Sequence, residues 1–384
     1  MKEKIISVIK KNNFIGWLYV QSVACCYRIL DFFIVPKPKR IIFTSFSGRQ
    51  YSDSPRAIFE ALRNDNSFKE FEFIWAFREP DKFPELDDDM KVKINSFSYL
   101  LALFKSRYWI SNASIERLIP INSRKHVYIN TWHGIPMKHL GPDEKNLEYI
   151  VKNWYSKVKF DVFLCSSDYD KNLFKHIFPS NNNVNVVGLP RNKQLVHESH
   201  NEKSIKNKVI EKLKLDPKKD ILLYAPTFRE YDLDISSKNN LFFKEEFLSE
   251  ISKKYNILVR GHYFALENLN NNVFNVSNYV ELNELMIASD ILVSDYSSII
   301  FDYLLLEKPI LLYLYDYEKY SKYRGLYFDP NKFFDTCIDI DKLADKLLKK
   351  NFKDNRNLKK YFNDLEDPIY LVKDTLLSDA KKKN

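Results

Sequence analysis

Three short runs set a glycine close to a histidine or an arginine: Trp132-His133-Gly134-Ile135-Pro136, Gly188-Leu189-Pro190-Arg191-Asn192 and Arg260-Gly261-His262. The chain carries only seven glycines in 384 residues, about a quarter of the ~7 % that is usual. Those that remain mark places where backbone must pass close to a ligand or turn with positive φ. Gly48 and Gly325 likewise adjoin Arg49 and Arg324. Histidine is the side chain best suited to take a proton near neutral pH, and the arginine fork matches phosphate oxygens. Together they imply proton transfer beside a phosphoryl group.

His133 follows an apolar run and precedes Gly134, Pro136 and Lys138, so it is the candidate general base. Arg260, Gly261 and His262 form a compact cationic candidate for phosphate oxygens. Ala225-Pro226-Thr227-Phe228-Arg229 is either a ligand contact or a proline-initiated turn. Ser294-Asp295-Tyr296-Ser297-Ser298-Ile299-Ile300-Phe301-Asp302 runs from a strand into an apolar-periodic helix. Ser297 and Ser298 then sit at a helix start, where N–H groups and hydroxyls hold an anion without a metal. Asp302, four residues after Ser298, shares its helix face and can accept from ligand hydroxyls. The plainer alternative is that Ser298 only caps and Asp302 is only solvated. No glycine-rich Walker loop and no GxGxxG occurs, which argues against ordinary kinases and dinucleotide enzymes. No metal-ligand spacing occurs either, and no cofactor is expected.

These residues need a scaffold large enough for two cores, and the length suits two domains. A net charge of +9 calls for an acidic partner: a phosphate-rich substrate, an anionic membrane surface or nucleic acid. No nucleic acid is expected, because the basic residues are scattered and no zinc-finger, RNP or basic-zipper pattern appears. Cys25, Cys26, Cys165 and Cys337 read as reduced, buried thiols of a cytosolic protein.

Short apolar runs at 40–44, 71–77, 108–111, 127–131, 162–165 and 184–187 alternate with helical patterns, and 55–62 is one such helix. Runs at 220–224, 256–259, 290–293 and 309–313 repeat the pattern. Such strands suit parallel sheets buried on both faces, which makes the fold class α/β with two doubly wound, Rossmann-like domains. The polar stretch 198–208 reads as their linker, giving domains at 37–197 and 198–384. Every candidate motif starts where a strand ends, as open α/β sheets require of a ligand site in a cleft. Residues 1–36 differ: lysines precede a long aromatic-rich apolar stretch broken by Gln21, Arg28 and Asp31. That composition favours an amphipathic, membrane-associating helix lying in the bilayer interface; a helix packed on the protein body is the alternative.

In order along the chain, TWHGIPMK, SSDYDKNLF, GLPRN, YAPTFRE, RGH and SDYSSIIFD resemble the CDP-glycerol glycerophosphotransferases of teichoic acid and capsule synthesis. FTSFSGRQYSDSPRAIFEAL resembles the first strand, loop and helix of that family. The resemblance covers about residues 40 to 330. It implies a GT-B fold with a central cleft, an acceptor-side N-terminal domain and a CDP-donor-binding C-terminal domain, attached peripherally to the cytoplasmic face of the cell membrane. It implies transfer of glycerol phosphate from CDP-glycerol to a hydroxyl of a lipid-linked glycan or polyol-phosphate acceptor, releasing CMP. His133 and His262 match the family's essential histidines. Trp132, Gly134, Ile135, Pro136, Arg191, Thr227, Phe228, Arg260, Gly261, Ser297, Ser298 and Asp302 match its donor-binding positions. Ile135, Phe228 and Gly261 depart from the usual Thr, Trp and larger residue, which leaves CDP-ribitol open as the donor. A nucleotide-sugar glycosyltransferase and a non-catalytic scaffold are the rivals, and self-association into a homo-oligomer is left open.

Overall fold

The computed structural model describes residues 9, 12–227, 229, 244–261, 273–364 and 366–382. It contains two parallel sheets. The first has β1 (Lys37–Thr44), β2 (Glu72–Phe77), β3 (Lys91–Lys93), β4 (Ser106–Ser111), β5 (Val127–Asn130), β6 (Val162–Cys165) and β7 (Val184–Val186), in the order β3-β2-β1-β4-β5-β6-β7. The second has β8 (Asp220–Ala225), β9 (Tyr255–Val259), β10 (Val273–Asn275), β11 (Ile291–Ser294), β12 (Ile310–Tyr313) and β13 (Asp335–Cys337), in the order β10-β9-β8-β11-β12-β13. The central strands β4, β5, β6, β9, β11 and β12 are buried along their whole length. Burial on both faces explains why their sequences are mostly apolar rather than alternating. The expected α/β class with two parallel sheets is therefore what the chain forms.

The chain divides into two compact units: 1–133, 140–194 and 364–384 in one, and 134–139 with 195–363 in the other. The stretch 198–208, expected as a linker, is helical apart from residues 200 and 201. The helix Pro190–Ser199 runs into it and Glu202–Leu213 continues it, because a surface helix needs only a narrow apolar stripe. The final helix, Pro368–Lys381, returns to the first unit. Val372, Leu376 and Ala380 enter the core that holds Phe59, Phe68, Phe71 and Tyr108. The Arg107 guanidinium grips Asp379 bidentately at 2.7 and 2.5 Å.

The N-terminal helix, Asn13–Phe33, starts at Asn12, whose side chain accepts from the N–H groups of Phe14 and Ile15. Its inner face packs on the body through Val20 and Tyr27, in one cluster with Phe104 and Ile119. Asp31 is fastened by the Ser123 hydroxyl at 2.8 Å and by His126 Nε2 at 3.1 Å. The opposite face leaves Phe14, Trp17, Tyr19, Ile29, Phe32 and Phe33 exposed. Among the described residues, no helix is long and apolar enough to cross a membrane. Cys25 and Cys26 lie on this helix and are exposed, so only Cys165 and Cys337 are the buried thiols that were expected of all four.

Candidate functional site

In open parallel sheets, ligands meet the carboxyl ends of strands where the strand order reverses. That point lies between β1 and β4 in the first sheet and between β8 and β11 in the second. In each unit the described candidate residues follow the carboxyl ends of strands.

In the first unit, β4 pairs with β1 through Ser111 and Thr44, and with β5 through Ser111 and Asn130. Past the strand ends, Asn130 Oδ1 accepts the Trp132 N–H at 2.9 Å, and the Thr131 N–H reaches the Ser111 carbonyl at 3.0 Å. Trp132 takes a left-handed φ of 49°, a strained conformation for an aromatic residue and typical of functional turns. Its ring is 5 % exposed, stands 5.2 Å from Phe178 and stacks on His133 at 4.4 Å. Gly134, at φ 144°, lets the chain leave this turn where a side chain would be strained. His133 Nδ1 donates to the Asn112 carbonyl at 2.7 Å. That bond fixes the tautomer, so Nε2 carries the lone pair that can accept a proton. The Phe46 ring, 5.6 Å away, limits the imidazole on another side.

A carboxyl that sequence reasoning missed supports this turn. Glu116 is 1 % exposed and accepts from Trp154 Nε1 and, at 3.1 Å, from the Tyr128 hydroxyl. Trp154 stacks on Trp132 in turn. Burial pushes the Glu116 carboxyl up to about 7, against the downward pull of these hydrogen bonds. Between Ile115 and Arg117 it carries no local signal of such a role.

Arg191 does not stand open at its helix start. Its Nη1 lies 2.6 Å from Asp53 Oδ2, and both side chains are largely buried. Beyond Gly134, Ile135 is 2 % exposed and Pro136 is buried. The run 134–139 belongs to the second unit and pairs there with 325–327: the Tyr327 N–H reaches the Met137 carbonyl at 2.8 Å and the His139 N–H the Gly325 carbonyl at 3.1 Å. A Cβ on Gly325 would stand 2.1 Å from His139 Nδ1. Packing, rather than a ligand, thus explains that glycine.

In the second unit, β9, β8 and β11 are neighbours and deliver Arg260, Thr227 and the 294–302 motif to one edge. Arg260 Nη1 donates to the carbonyls of Val276 at 3.1 Å and Tyr279 at 2.7 Å. No carboxylate stands within ion-pair distance of it among the described residues. Burial alone presses its pKa down. The Gly261 N–H reaches the Ser277 hydroxyl at 3.2 Å. The Thr227 N–H donates to Asp295 Oδ1 at 2.9 Å, while its buried hydroxyl has no partner among the described residues. Arg229 is spent internally on Asp295 at 2.9 Å and Asp316 at 2.6 Å. Burial opposes its charge, but Asp295 and Asp316 outweigh that and raise its pKa.

Ser297 Oγ accepts from the Ile299 N–H at 3.4 Å, and the Ser298 hydroxyl makes no capping bond. The helix they precede, Ile299–Tyr303, is only five residues long, so its dipole adds little. An anion held here would rest on the hydroxyls and N–H groups themselves. Asp302 is 8 % exposed. Phe228 and His262 lie outside the described residues. Among the described residues, no group of three or more His, Cys, Asp or Glu could hold a metal ion.

Residues 28–369 match the family described as CDP-Glycerol:Poly(glycerophosphate) glycerophosphotransferase. The teichoic acid poly(glycerol phosphate) polymerase of Bacillus spizizenii is 30 % identical over 390 residues, covering 94 % of this chain and 95 % of that protein. The polymerase of the same name from Staphylococcus epidermidis is 33 % identical over 312 residues, but the match spans 42 % of its length. A solved structure of the wall teichoic acid polymerase TagF, soaked with CDPG, superposes with a TM-score of 0.82 at 28 % identity, covering 94 % of this chain and 93 % of that one. A family match over most of the chain, and a relative matched almost end to end, show that the chain belongs to the CDP-glycerol glycerophosphotransferases of teichoic acid synthesis.

Proposed function

We propose that the chain transfers glycerol phosphate from CDP-glycerol to a hydroxyl of a lipid-linked acceptor, with His133 as the general base. The acceptor oxygen forms a bond to the glycerol-bearing phosphorus, the bridging P–O bond to CMP breaks, and Nε2 of His133 takes the hydroxyl proton. CMP leaves with the bridging oxygen and the electron pair. The carrying observation is the 2.7 Å bond from His133 Nδ1 to the Asn112 carbonyl, which leaves Nε2 as the acceptor. Phosphoryl transfer asks a protein mainly for positioning and for cations around the moving charge. Arg260, lacking a carboxylate partner among the described residues, and the unpartnered Thr227 hydroxyl supply part of that in our reading. Ser297 and Ser298 complete the pyrophosphate contacts, Asp302 receives a donor hydroxyl, and His262 assists as the family resemblance implies.

We place the protein peripherally on the cytoplasmic face of the cell membrane, with the outer aromatic face of the helix Asn13–Phe33 as its contact. Aromatic rings at that depth and neighbouring lysines favour anionic headgroups. The deciding experiment incubates the protein with CDP-glycerol or CDP-ribitol and a synthetic lipid-linked acceptor, then sizes the products. CMP release with acceptor extension from CDP-glycerol supports the reading. Extension from CDP-ribitol alone moves the donor, and extension from a nucleotide sugar alone overturns it.

A further inference from the structure

The loop after β1 carries an arrangement that the transfer chemistry does not use. Phe46, Ser47 and Gly48 take φ values of 47°, 53° and 81° in succession, a left-handed run that L residues enter only when their surroundings force it. Here the surroundings do so. The Phe46 N–H donates to Asn112 Oδ1 at 2.7 Å, and the Gly48 carbonyl accepts the Arg78 N–H at 2.7 Å. A Cβ on Gly48 would stand 2.2 Å from Ile94 Cδ1. The same Asn112 therefore holds the loop with its side chain and His133 with its carbonyl.

The loop's outward carbonyls collect arginines. Arg49 Nη1 donates to the Phe46 carbonyl at 3.3 Å, and Arg78 Nε donates to the Ser47 carbonyl at 3.2 Å. Arg117, itself at φ 59°, donates Nε to Asn95 Oδ1 at 3.2 Å. Partial burial, followed by the charge of Arg49 and Arg117, pushes the Arg78 guanidinium pKa down. Six other arginines meet acids: Arg40 with Glu72, Arg56 with Glu60, Arg107 with Asp379, Arg191 with Asp53, Arg229 with Asp295, Arg356 with Asp354. Arg49, Arg78 and Arg117 have no carboxylate within ion-pair distance among the described residues. Like charges are held together by main-chain and amide oxygens, which costs stability unless an anion completes the cluster.

We infer that Arg49, Arg78 and Arg117 bind phosphodiester groups of the acceptor chain and so present its terminal hydroxyl to His133. The inference rests on the reading of His133 as the base that receives that hydroxyl's proton. The loop is continuous with the base, because Phe46 packs on His133 and its carbonyl anchors Arg49. The donor's phosphates are assigned to Arg260 and Thr227 in the other unit, which leaves the acceptor as the polyanion for this cluster. Guanidinium forks suit phosphodiesters of any polyol, since they read oxygens and charge rather than the carbon chain.

The test uses full-length protein and the variants Arg49→Gln, Arg78→Gln and Arg117→Gln, singly and combined, with Arg→Lys partners as charge-retaining controls. Calorimetric titration with a short soluble poly(glycerol phosphate) oligomer should show about a tenfold rise in Kd for each Gln variant, the usual worth of a charge-assisted contact, and a shallower salt dependence. The Lys variants should keep most of the affinity, and thermal melting should confirm that all remain folded. In turnover, the acceptor KM should rise by the same factor while the KM for CDP-glycerol changes less than about twofold. Unchanged oligomer affinity in the triple variant overturns the site. An equal rise in donor KM assigns the cluster to the donor instead, and loss confined to anionic vesicle binding assigns it to lipid headgroups; either also overturns it. Oligomer binding that depends on the arginines, in a protein that turns over no CDP-glycerol, would refute the proposed reaction and leave this site standing.

Discussion

Asp53 and Arg191 form a largely buried ion pair at 2.6 Å between the start of the helix Asp53–Arg63 and the start of the helix Pro190–Ser199. Two sequence motifs that resemble family signatures thus answer one another inside a single unit. Removing one partner strands a buried charge, so Arg191→Ala should lose about 3–5 kcal/mol in urea unfolding. Removing both should recover much of that loss. A variant of full stability with a raised donor KM would instead make Arg191 a donor ligand.

His133→Ala should lower kcat by about 10²–10⁴-fold, the usual contribution of a general base. Donor affinity, measured by calorimetry, should persist because Arg260 and Thr227 are untouched. Near-normal turnover would remove His133 from the mechanism.

Glu116 predicts a pH dependence of stability. Its folded pKa of about 7 lies above the ordinary 4.5 because of burial. The folded state therefore holds this proton to higher pH than the unfolded chain does. The stabilisation is complete below about 4.5 and is lost as pH rises through about 7, a change of about 3 kcal/mol at 1.36 kcal/mol per unit. Asp170, pushed up to about 6 by burial, acts in the same sense. Urea unfolding of Glu116→Gln at about pH 5 and about pH 8 should show a smaller difference than the parent; an equal difference would show that Glu116 is ionised throughout.

Thr227→Val separates ligand contact from packing. The hydroxyl is buried without a partner among the described residues, so replacing it with a methyl group should leave stability unchanged or raise it slightly. CMP affinity should nevertheless fall several-fold, and Arg260→Ala should cost about tenfold or more. CMP affinity unaltered in both variants would move the pyrophosphate elsewhere.

The two faces of the N-terminal helix should respond differently. Tyr27→Ala, on the packed face, should destabilise the protein by about 3–5 kcal/mol. Exchanging Trp17, Phe32 and Phe33 for Ser on the exposed face should leave the melting temperature nearly unchanged and weaken sedimentation with anionic vesicles. Vesicle binding that survives this exchange would place the membrane contact on another surface.

Much of the scaffold was legible because burial on both faces writes central strands as short apolar runs. The strands at 127–130, 162–165 and 291–294 announce themselves in this way, and 106–111 does so from Tyr108 onward. The edge strands Lys91–Lys93, Val273–Asn275 and Asp335–Cys337 do not. At three residues each, their place comes from a neighbour's open hydrogen bonds rather than from their own composition. The stretch 198–208 is polar like a linker yet helical, since its apolar residues need cover only one side.

Among the candidate residues, scarce glycines and motifs at strand ends marked His133, Arg260 and the serines, whereas the family resemblance singled out Thr227. Sequence could not pair His133 with the Asn112 carbonyl, seat Glu116 beneath Trp154, or leave Arg49, Arg78 and Arg117 without acids. Nor could it bring Asp379 to Arg107 across 272 positions. A residue's type follows from its burial and its local backbone, which neighbouring positions encode. Its partner depends on which distant segments the two sheets bring together, and only the tertiary fold decides that.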